Sequence, residues 1–210
     1  TRSTPTVVDS GIFYISVSAG SNYTCGITTS NVLKCWGLNT YGQLGNGSTT
    51  QSTIPVVIDS GAMYYQVDTG PTHTCGIRVS GLLRCWGYNV RGQIGDGTIT
   101  QQNSPVDVDF GTPYAQVSTG NSHTCGITTG NVLKCWGRNV EGQLGNNTVT
   151  DATTPIVINS GTNYSHVSAG LTHTCGVTQF AQPKCWGDNT YNQLGNGNTT
   201  LSLVPVLIDQ

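Results

Sequence analysis

The feature that most constrains this chain is a fixed period of fifty residues. Pro5, Pro55, Pro105, Pro155 and Pro205 align at that step without an insertion or deletion. The same register holds Cys25, Cys75, Cys125 and Cys175, then Cys35, Cys85, Cys135 and Cys185, each of the latter followed by Trp36, Trp86, Trp136 or Trp186. Tyr14, Tyr64, Tyr114 and Tyr164 match as well. A step of this size marks a propeller, solenoid or array, in which each unit buries its apolar face against its neighbours. The units read as residues 1–54, 55–104, 105–154 and 155–204, with 205–210 as the start of a fifth.

Within a unit, short apolar segments alternate with turn residues, and no stretch keeps helical periodicity over ten or more positions. One segment follows the proline and ends near Val8, Ile58, Val108 and Ile158, before an Asp/Asn-x-Gly turn. A second runs from about Tyr14 to Val17, a third carries Cys25 and Ile27, and a fourth carries Leu33, Cys35 and Trp36. Four strands are the content of one propeller blade. The last two form a hairpin about position 30, where Asn31, Gly81 and Asn131 accept the positive φ of such a turn.

Pairing about that turn sets Cys25 opposite Cys35 and Ile27 opposite Leu33 on one face, within disulfide range. The expected bonds are Cys25–Cys35, Cys75–Cys85, Cys125–Cys135 and Cys175–Cys185. Each closes a short loop worth roughly 3 kcal/mol on the chain-entropy account. Such bonds place the chain outside the reducing cytosol, extracellular or at a cell surface.

Charged residues make up 9% of the chain, against roughly 25% in an ordinary globular protein, and the formal net charge is −2. There is no basic cluster to bind nucleic acid, and no apolar run approaches the roughly 18 residues of a membrane span. The chain begins at Thr1 instead of Met, which reads as a removed leader or an excerpt of something longer.

The stretch "HTCGIRVSGLLRCWGYNVRGQIGDG" from His73 resembles the repeat of the regulator of chromosome condensation family. The pattern W-G-x-N-x-x-G-Q-[LI]-G stands at 36–45, 86–95 and 136–145, and lapses once in the fourth unit. The K-C-W-G form with a paired cysteine is similar to a secreted bacterial branch of that family. The resemblance implies an all-β fold of propeller blades, in this family usually seven to a ring. Three positions depart from it: Tyr23 where the other units have His, Asn192 where they have Gly, and Pro183 where they have Leu. The turn "QFAQPKC" of the fourth unit is expected to be altered, with its cysteine pair kept. With four units and no length variation, the chain reads as part of a larger propeller or as an open array of equal steps.

No catalytic constellation emerges. His73, Cys75 and Cys85 share a face as three soft ligands, but Tyr23 breaks the set and no fourth ligand recurs, so a disulfide beside a core histidine is preferred over a metal site. The only Glu is Glu141, Asp9, Asp59 and Asp109 recur as turn caps, and His166 has no evident partner. Nucleophile elbows, P-loops and dinucleotide fingerprints are absent, so neither enzyme activity nor a cofactor is expected. Lys34, Arg84, Lys134 and Lys184 form a row expected to be solvated and paired with the recurrent Asp residues.

The Thr-rich linkers between units are exposed by composition. Asn-x-Ser/Thr acceptors stand at Asn22, Asn46, Asn146, Asn163 and Asn198, and mark candidate glycan sites. The residues after W-G, namely Leu38, Tyr88, Arg138 and Asp188, vary from unit to unit and are the candidate partner-facing positions. The first functional reading is a non-catalytic extracellular structural or adhesive protein that self-associates, as in a glycosylated surface fibre. The alternatives are a protein-binding propeller, like a secreted inhibitor or less suitably a small-GTPase exchange factor, and a lectin.

Overall fold

The computed structural model describes residue 4 and residues 6–208. The chain is all β and forms four antiparallel sheets of four strands each. The first sheet holds β1 (Tyr14–Ala19), β2 (Tyr23–Thr28), β3 (Leu33–Gly37) and β4 (Ser52–Val57). The second holds β5 (Tyr64–Thr69), β6 (His73–Arg78), β7 (Leu83–Gly87) and β8 (Gln102–Val108). The third holds β9 (Tyr114–Thr119), β10 (His123–Thr128), β11 (Leu133–Gly137) and β12 (Ala152–Val157). The fourth holds β13 (Tyr164–Ala169), β14 (His173–Thr178), β15 (Pro183–Gly187) and β16 (Ser202–Leu207). Among the described residues no helix is long and apolar enough to cross a membrane.

Strand order follows chain order within each sheet. The sheet and the sequence period are therefore out of phase. The segment around each proline is the outermost strand of the sheet that precedes it, pairing with the Cys–Trp strand (Cys35 with Val56, Cys185 with Val206). Residues 205–207 thus complete the fourth sheet. A fourteen-residue loop, 38–51 in the first sheet, returns the chain antiparallel to the strand it has just left, which decides this pairing. Pro55, Pro105, Pro155 and Pro205 fall in these outermost strands, where a missing N–H is tolerated.

The central hairpin has the register expected from the repeat. Cys25 faces Cys35 and Ile27 faces Leu33, and the same pairs recur in every sheet. Disulfides join Cys25–Cys35, Cys75–Cys85, Cys125–Cys135 and Cys175–Cys185, with Cα atoms 4.1 Å apart in each. Asn31 and Asn131 take positive φ at the turn, as does Gly81. The fourth turn is not altered in backbone, contrary to expectation. Ala181 adopts φ 59° there, and Thr178 N–H still donates to Gln182 O at 2.9 Å, as Arg78 N–H does to Leu82 O. The paired strands on either side hold the turn geometry and override the local preference against αL in Ala.

The apolar core lies between sheets instead of within one. Ile27, Leu33 and Leu44 of the first unit pack with Ile58, Tyr64, Val67 and Trp86 of the second, and the next two junctions repeat the set. The strands β1, β5, β9 and β13 pack side by side as the inner strands, in chain order.

Candidate protein-binding face and blade junctions

Two kinds of loop share one end of the sheets: the turns between first and second strands (20–22 and equivalents) and the long loops 38–51, 88–101, 138–151 and 188–201. Each long loop is organised by one asparagine with no solvent exposure: Asn39, Asn89, Asn139 or Asn189. Asn139 Nδ2 donates to Asn146 Oδ1, Thr148 O and Thr150 O at 2.9–3.1 Å, and its Oδ1 accepts from Leu144 N at 2.9 Å. The other three asparagines make the same set. A fully bonded buried amide fixes a loop that has no strand pairing of its own. The W-G-x-N motif contains this asparagine, yet the bonds its Nδ2 donates reach seven to eleven residues ahead, which spacing alone does not show.

The candidate glycan sites fall into two groups. Asn46 and Asn146 are part of the loop frame: each Oδ1 accepts from the backbone N–H and hydroxyl of the Ser48 or Thr148 that follows. Asp96 makes the same bonds to Thr98 without an amide nitrogen, so this position serves the turn. Asn198 Oδ1 likewise accepts from the Thr200 N–H at 2.8 Å, whereas Asn22 and Asn163 are exposed and stand outside the long loops.

Leu38, Tyr88, Arg138 and Asp188 are half-buried on this end, and each backbone N–H donates to the carbonyl of Asn22, Thr72, Ser122 or Thr172. Three of the side chains are engaged within the protein. Tyr88 lies against Tyr41 of the preceding blade with ring centroids 4.7 Å apart, and Arg138 pairs with Glu141 at 2.6 Å. Asp188 accepts from Thr190, Thr172 and Gln193. The neighbouring positions are the freer ones: Val90, Val140, Leu171 and Tyr191 are exposed, Tyr191 to 84%. A cavity of about 380 Å³ opens at the same end, lined by the small residues of the inner turns, among them Gly20, Gly70, Gly120 and Gly170.

The junctions between blades repeat bond for bond. Gln43 O accepts from both Thr74 Oγ1 (2.8 Å) and Trp86 Nε1 (2.9 Å) of the next blade, and Gln93 O and Gln143 O do the same one and two blades on. Each tryptophan sits over a glycine: a Cβ on Gly45, Gly95 or Gly145 would lie 2.6 Å from the indole Nε1 of Trp86, Trp136 or Trp186. On the inner strands, Ser18, Asp68 and Ser118 accept from the backbone N–H of Thr69, Thr119 and Ala169. Gln66 and Gln116 clamp both backbone groups of Val117 and Val167. The glutamine carbonyl and this clamp join residues 31 to 51 apart and leave no local signature.

The aligned histidines belong to the junctions. Thr124 Oγ1 donates to Gln93 O, so it accepts from His73, whose Nε2 lies 2.9 Å away. His73 is then the Nε2–H tautomer, and its Nδ1 is a buried acceptor without a protein partner, as is that of His123. Burial pushes the pKa of His73 down to about 4. Burial, with repulsion from His73, His173 and Arg138, pushes His123 down to about 3. Tyr23 fills the same place in the first blade, its hydroxyl 2.7 Å from His73 O and 2.9 Å from Thr74 Oγ1. The cysteines beside them are bonded to each other, and among the described residues no His, Cys, Asp and Glu cluster suits a metal ion.

At the opposite end, the basic row meets the recurrent aspartates: Lys34–Asp9 at 2.7 Å, Arg84–Asp59 at 3.2 Å and Lys134–Asp109 at 2.6 Å. For Lys184 the equivalent position is the uncharged Asn159, whose Nδ2 donates to the Tyr164 hydroxyl at 2.9 Å instead. Tyr14, Tyr64 and Tyr114 donate to the same three carboxylates. Lys34 and Tyr14 hold Asp9 below the usual carboxylate range. Burial alone would raise Asp59 and Asp109, but tyrosine and cation partners outweigh it and hold both low. His166 Nδ1 lies 2.9 Å from Gln116 Nε2 on the inner strands.

Four-stranded sheets standing side by side, inner strand to inner strand, define a β-propeller repeat protein. The regulator of chromosome condensation (RCC1) repeat matches residues 35–77, 80–127, 133–177 and 185–210, and a second profile of the same repeat matches 14–43, 65–93 and 114–143. The chain belongs to the RCC1 repeat family. A search of curated proteins found no sequence match. Among solved structures, human WBSCR16 is similar at 20% identity with a TM-score of 0.85, over 96% of this chain and 54% of that one. Prp20p from Saccharomyces cerevisiae is similar at 18% identity and TM-score 0.85, over 96% of this chain and 52% of that one. The CRINKLY WD40 ectodomain of the Arabidopsis thaliana receptor kinase ACR4 is similar at 23% identity and TM-score 0.58, over 85% of this chain and 54% of that one. These likenesses show the fold, and the chain spans about half the length of the structures it matches.

Proposed function

We propose that the chain is a non-catalytic protein-binding surface of the RCC1 type, working through the end that carries the long loops. One observation carries this reading. Four loops of equal length, each locked by a buried asparagine, present a changing set at one position: Tyr41, Arg91, Glu141 and Tyr191. A rigid frame with varied aromatic and charged tips is what a specific protein interface needs, because little ordering entropy is lost on binding. Prp20p, of the same fold, is described with binding properties toward Gsp1p and histones. The net charge of −2 offers nothing to nucleic acid, and the four disulfides favour an oxidising, extracellular setting of the secreted branch over that of an intracellular exchange factor. Exposed Asn22 and Asn163, which hold no loop turn, are the better-placed glycan acceptors. A second reading, the structural or adhesive array, is favoured by the regularity of the junctions.

The test is affinity capture from the surroundings of the producing cell with three forms of the chain. Arg91→Glu with Tyr191→Ala is expected to lose the retained protein, while Phe110→Ser with Phe180→Ser at the opposite end keeps it. Loss with the second pair and retention with the first would overturn the assignment of this end.

A further inference from the structure

Each long loop carries a glutamine two residues after its tip, and the tip itself orients the side-chain amide. The backbone N–H of Tyr41, Arg91, Glu141 or Tyr191 donates to Oε1 of Gln43, Gln93, Gln143 or Gln193 at 2.8–3.0 Å. A backbone N–H only donates, so the oxygen end is fixed and Nε2 is left on the other side as a donor. In the third blade Gln143 Nε2 donates to Glu141 Oε2 at 3.0 Å, and in the fourth Gln193 Nε2 donates to Asp188 Oδ2 at 2.9 Å. The first two blades have no carboxylate at either of these positions, which hold Leu38 and Tyr41, then Tyr88 and Arg91. There Gln43 Nε2 and Gln93 Nε2 are buried without a partner.

We propose that Gln93 Nε2 and Arg91 form a carboxylate-binding subsite, filled in the complex by an Asp or Glu side chain of the protein partner. The proposal rests on the reading of the long-loop end as the binding face. The third blade supplies the template. One oxygen of Glu141 accepts from Gln143 Nε2 and the other from Arg138 at 2.6 Å, so a carboxylate at a loop tip is held between an amide and a guanidinium. In the second blade the amide is oriented in the same way and the cation is Arg91, but the chain brings no carboxylate of its own to the amide. The partner provides it. A buried donor without an acceptor costs free energy until one meets it, so the pairing favours the bound state over the free one.

The neighbouring groups single out the second blade. Arg91 is free to turn toward a partner, since its side chain is 51% exposed and its contact with Asp151 is 3.4 Å long. Asp151 competes for the guanidinium, but its other oxygen accepts from the Asn139 N–H at 2.8 Å and keeps that bond when Arg91 moves. Asp96, the remaining carboxylate of this loop, is taken up by Thr98 and Gln102. Gln43 offers less. Tyr41 lies against Tyr88 and no cation stands at position 38 or 41, so a carboxylate there is desolvated without a counter-charge.

The experiment is a titration of the isotope-labelled whole chain with sodium acetate, against sodium chloride at equal ionic strength, followed by NMR at the glutamine side-chain amides. Acetate is expected to shift the Gln93 Nε2–H resonances downfield and saturably, while those of Gln143, already bonded to Glu141, stay in place. Arg91→Ala, at an exposed side chain, weakens the acetate response about tenfold. Arg91→Glu builds the third blade's arrangement into the second, so the Gln93 resonances move toward those of Gln143 without acetate and the response is lost. A Gln93 amide that ignores acetate, moves as far with chloride, or responds unchanged in Arg91→Glu overturns the subsite. If acetate binds but Arg91→Glu alone leaves capture of the partner intact, the partner's use of the subsite is overturned. Capture lost only with the Phe110→Ser and Phe180→Ser pair overturns instead the binding face on which the proposal rests.

Discussion

The two interior blades and the two outer ones have nearly the same sequence and the same strand pairing, yet they are not equally packed. In the second and third blades the inner valine, the tryptophan and the histidine are all buried, with the histidines at 0% exposure. In the first blade the valine and tryptophan are uncovered, and in the fourth His173, Cys175 and Val177 are only half-buried. The difference teaches that a blade's hydrogen bonding is its own but its apolar burial is borrowed from neighbours, as nearest-neighbour accounts of repeat proteins require. The bonded hairpin and its disulfide are the same in the first and fourth blades, which pack against one described neighbour, as in the second and third, which pack against two.

The sharpest way to break this comparison is to remove the same residue in both settings. Trp136→Ala deletes an indole that fills a closed site and bonds Gln93 O, and should cost about 3–5 kcal/mol in urea unfolding. Trp36→Ala should cost about 1 kcal/mol or less, since that ring is half-exposed. Equal losses at the two sites would show that the blade, and not the junction, holds the tryptophan.

The pH dependence of stability gives the next largest effect. His73 and His123 are neutral in the fold, with pKa values lowered to about 4 and about 3 by burial, whereas the unfolded chain titrates near 6.5. The unfolded state thus takes up protons first as pH falls. Stability from these residues is complete above about pH 6.5 and is lost as pH drops toward 4, on the order of a few kcal/mol. Tyr23 occupies the same position without titrating in this range, its pKa being raised by burial. The double variant His73→Tyr and His123→Tyr should therefore hold its urea midpoint between pH 7.5 and 5 where the wild type falls. A variant that falls as steeply as the wild type would move the effect to other groups.

The smallest effect belongs to the ion pairs at the far end. Lys134→Met removes a partner of Asp109 at a site where both side chains keep solvent access, so the loss should be about 1 kcal/mol or less and should shrink at high salt. A loss of several kcal/mol, independent of salt, would mean that this pair acts as a buried one.

Much of the fold was legible. The turn residues at 31, 81 and 131 and the ten-residue cysteine spacing set the hairpin register and hence all four disulfides. Three of the four cations in the row met the recurrent aspartates as their repetition implied, and Lys184 stands opposite Asn159 in the repeat. The turn at Ala181 was misjudged because sequence shows the residue's own preference, and not the strands that clamp it on both sides. Of the varied positions after W-G, Tyr88, Arg138 and Asp188 are bound within the protein; three residues on, Arg91 and Tyr191 are exposed, while Tyr41 and Glu141 are the partners of Tyr88 and Arg138. Nothing local distinguishes the two, because the difference comes from the neighbouring blade that takes up Tyr88.

By itself, the sequence determined the unit: its length, its hairpin, its cross-strand staples and the turn chemistry, all carried by residues within about thirty positions of one another. Only the tertiary structure decided which strand completes each sheet, and that Gln43 O and its equivalents receive a tryptophan from the next blade. The physical reason is one of range. Backbone pairing across a tight turn is dictated by neighbours in the chain, whereas the core lies between sheets and is set only when one blade meets the next.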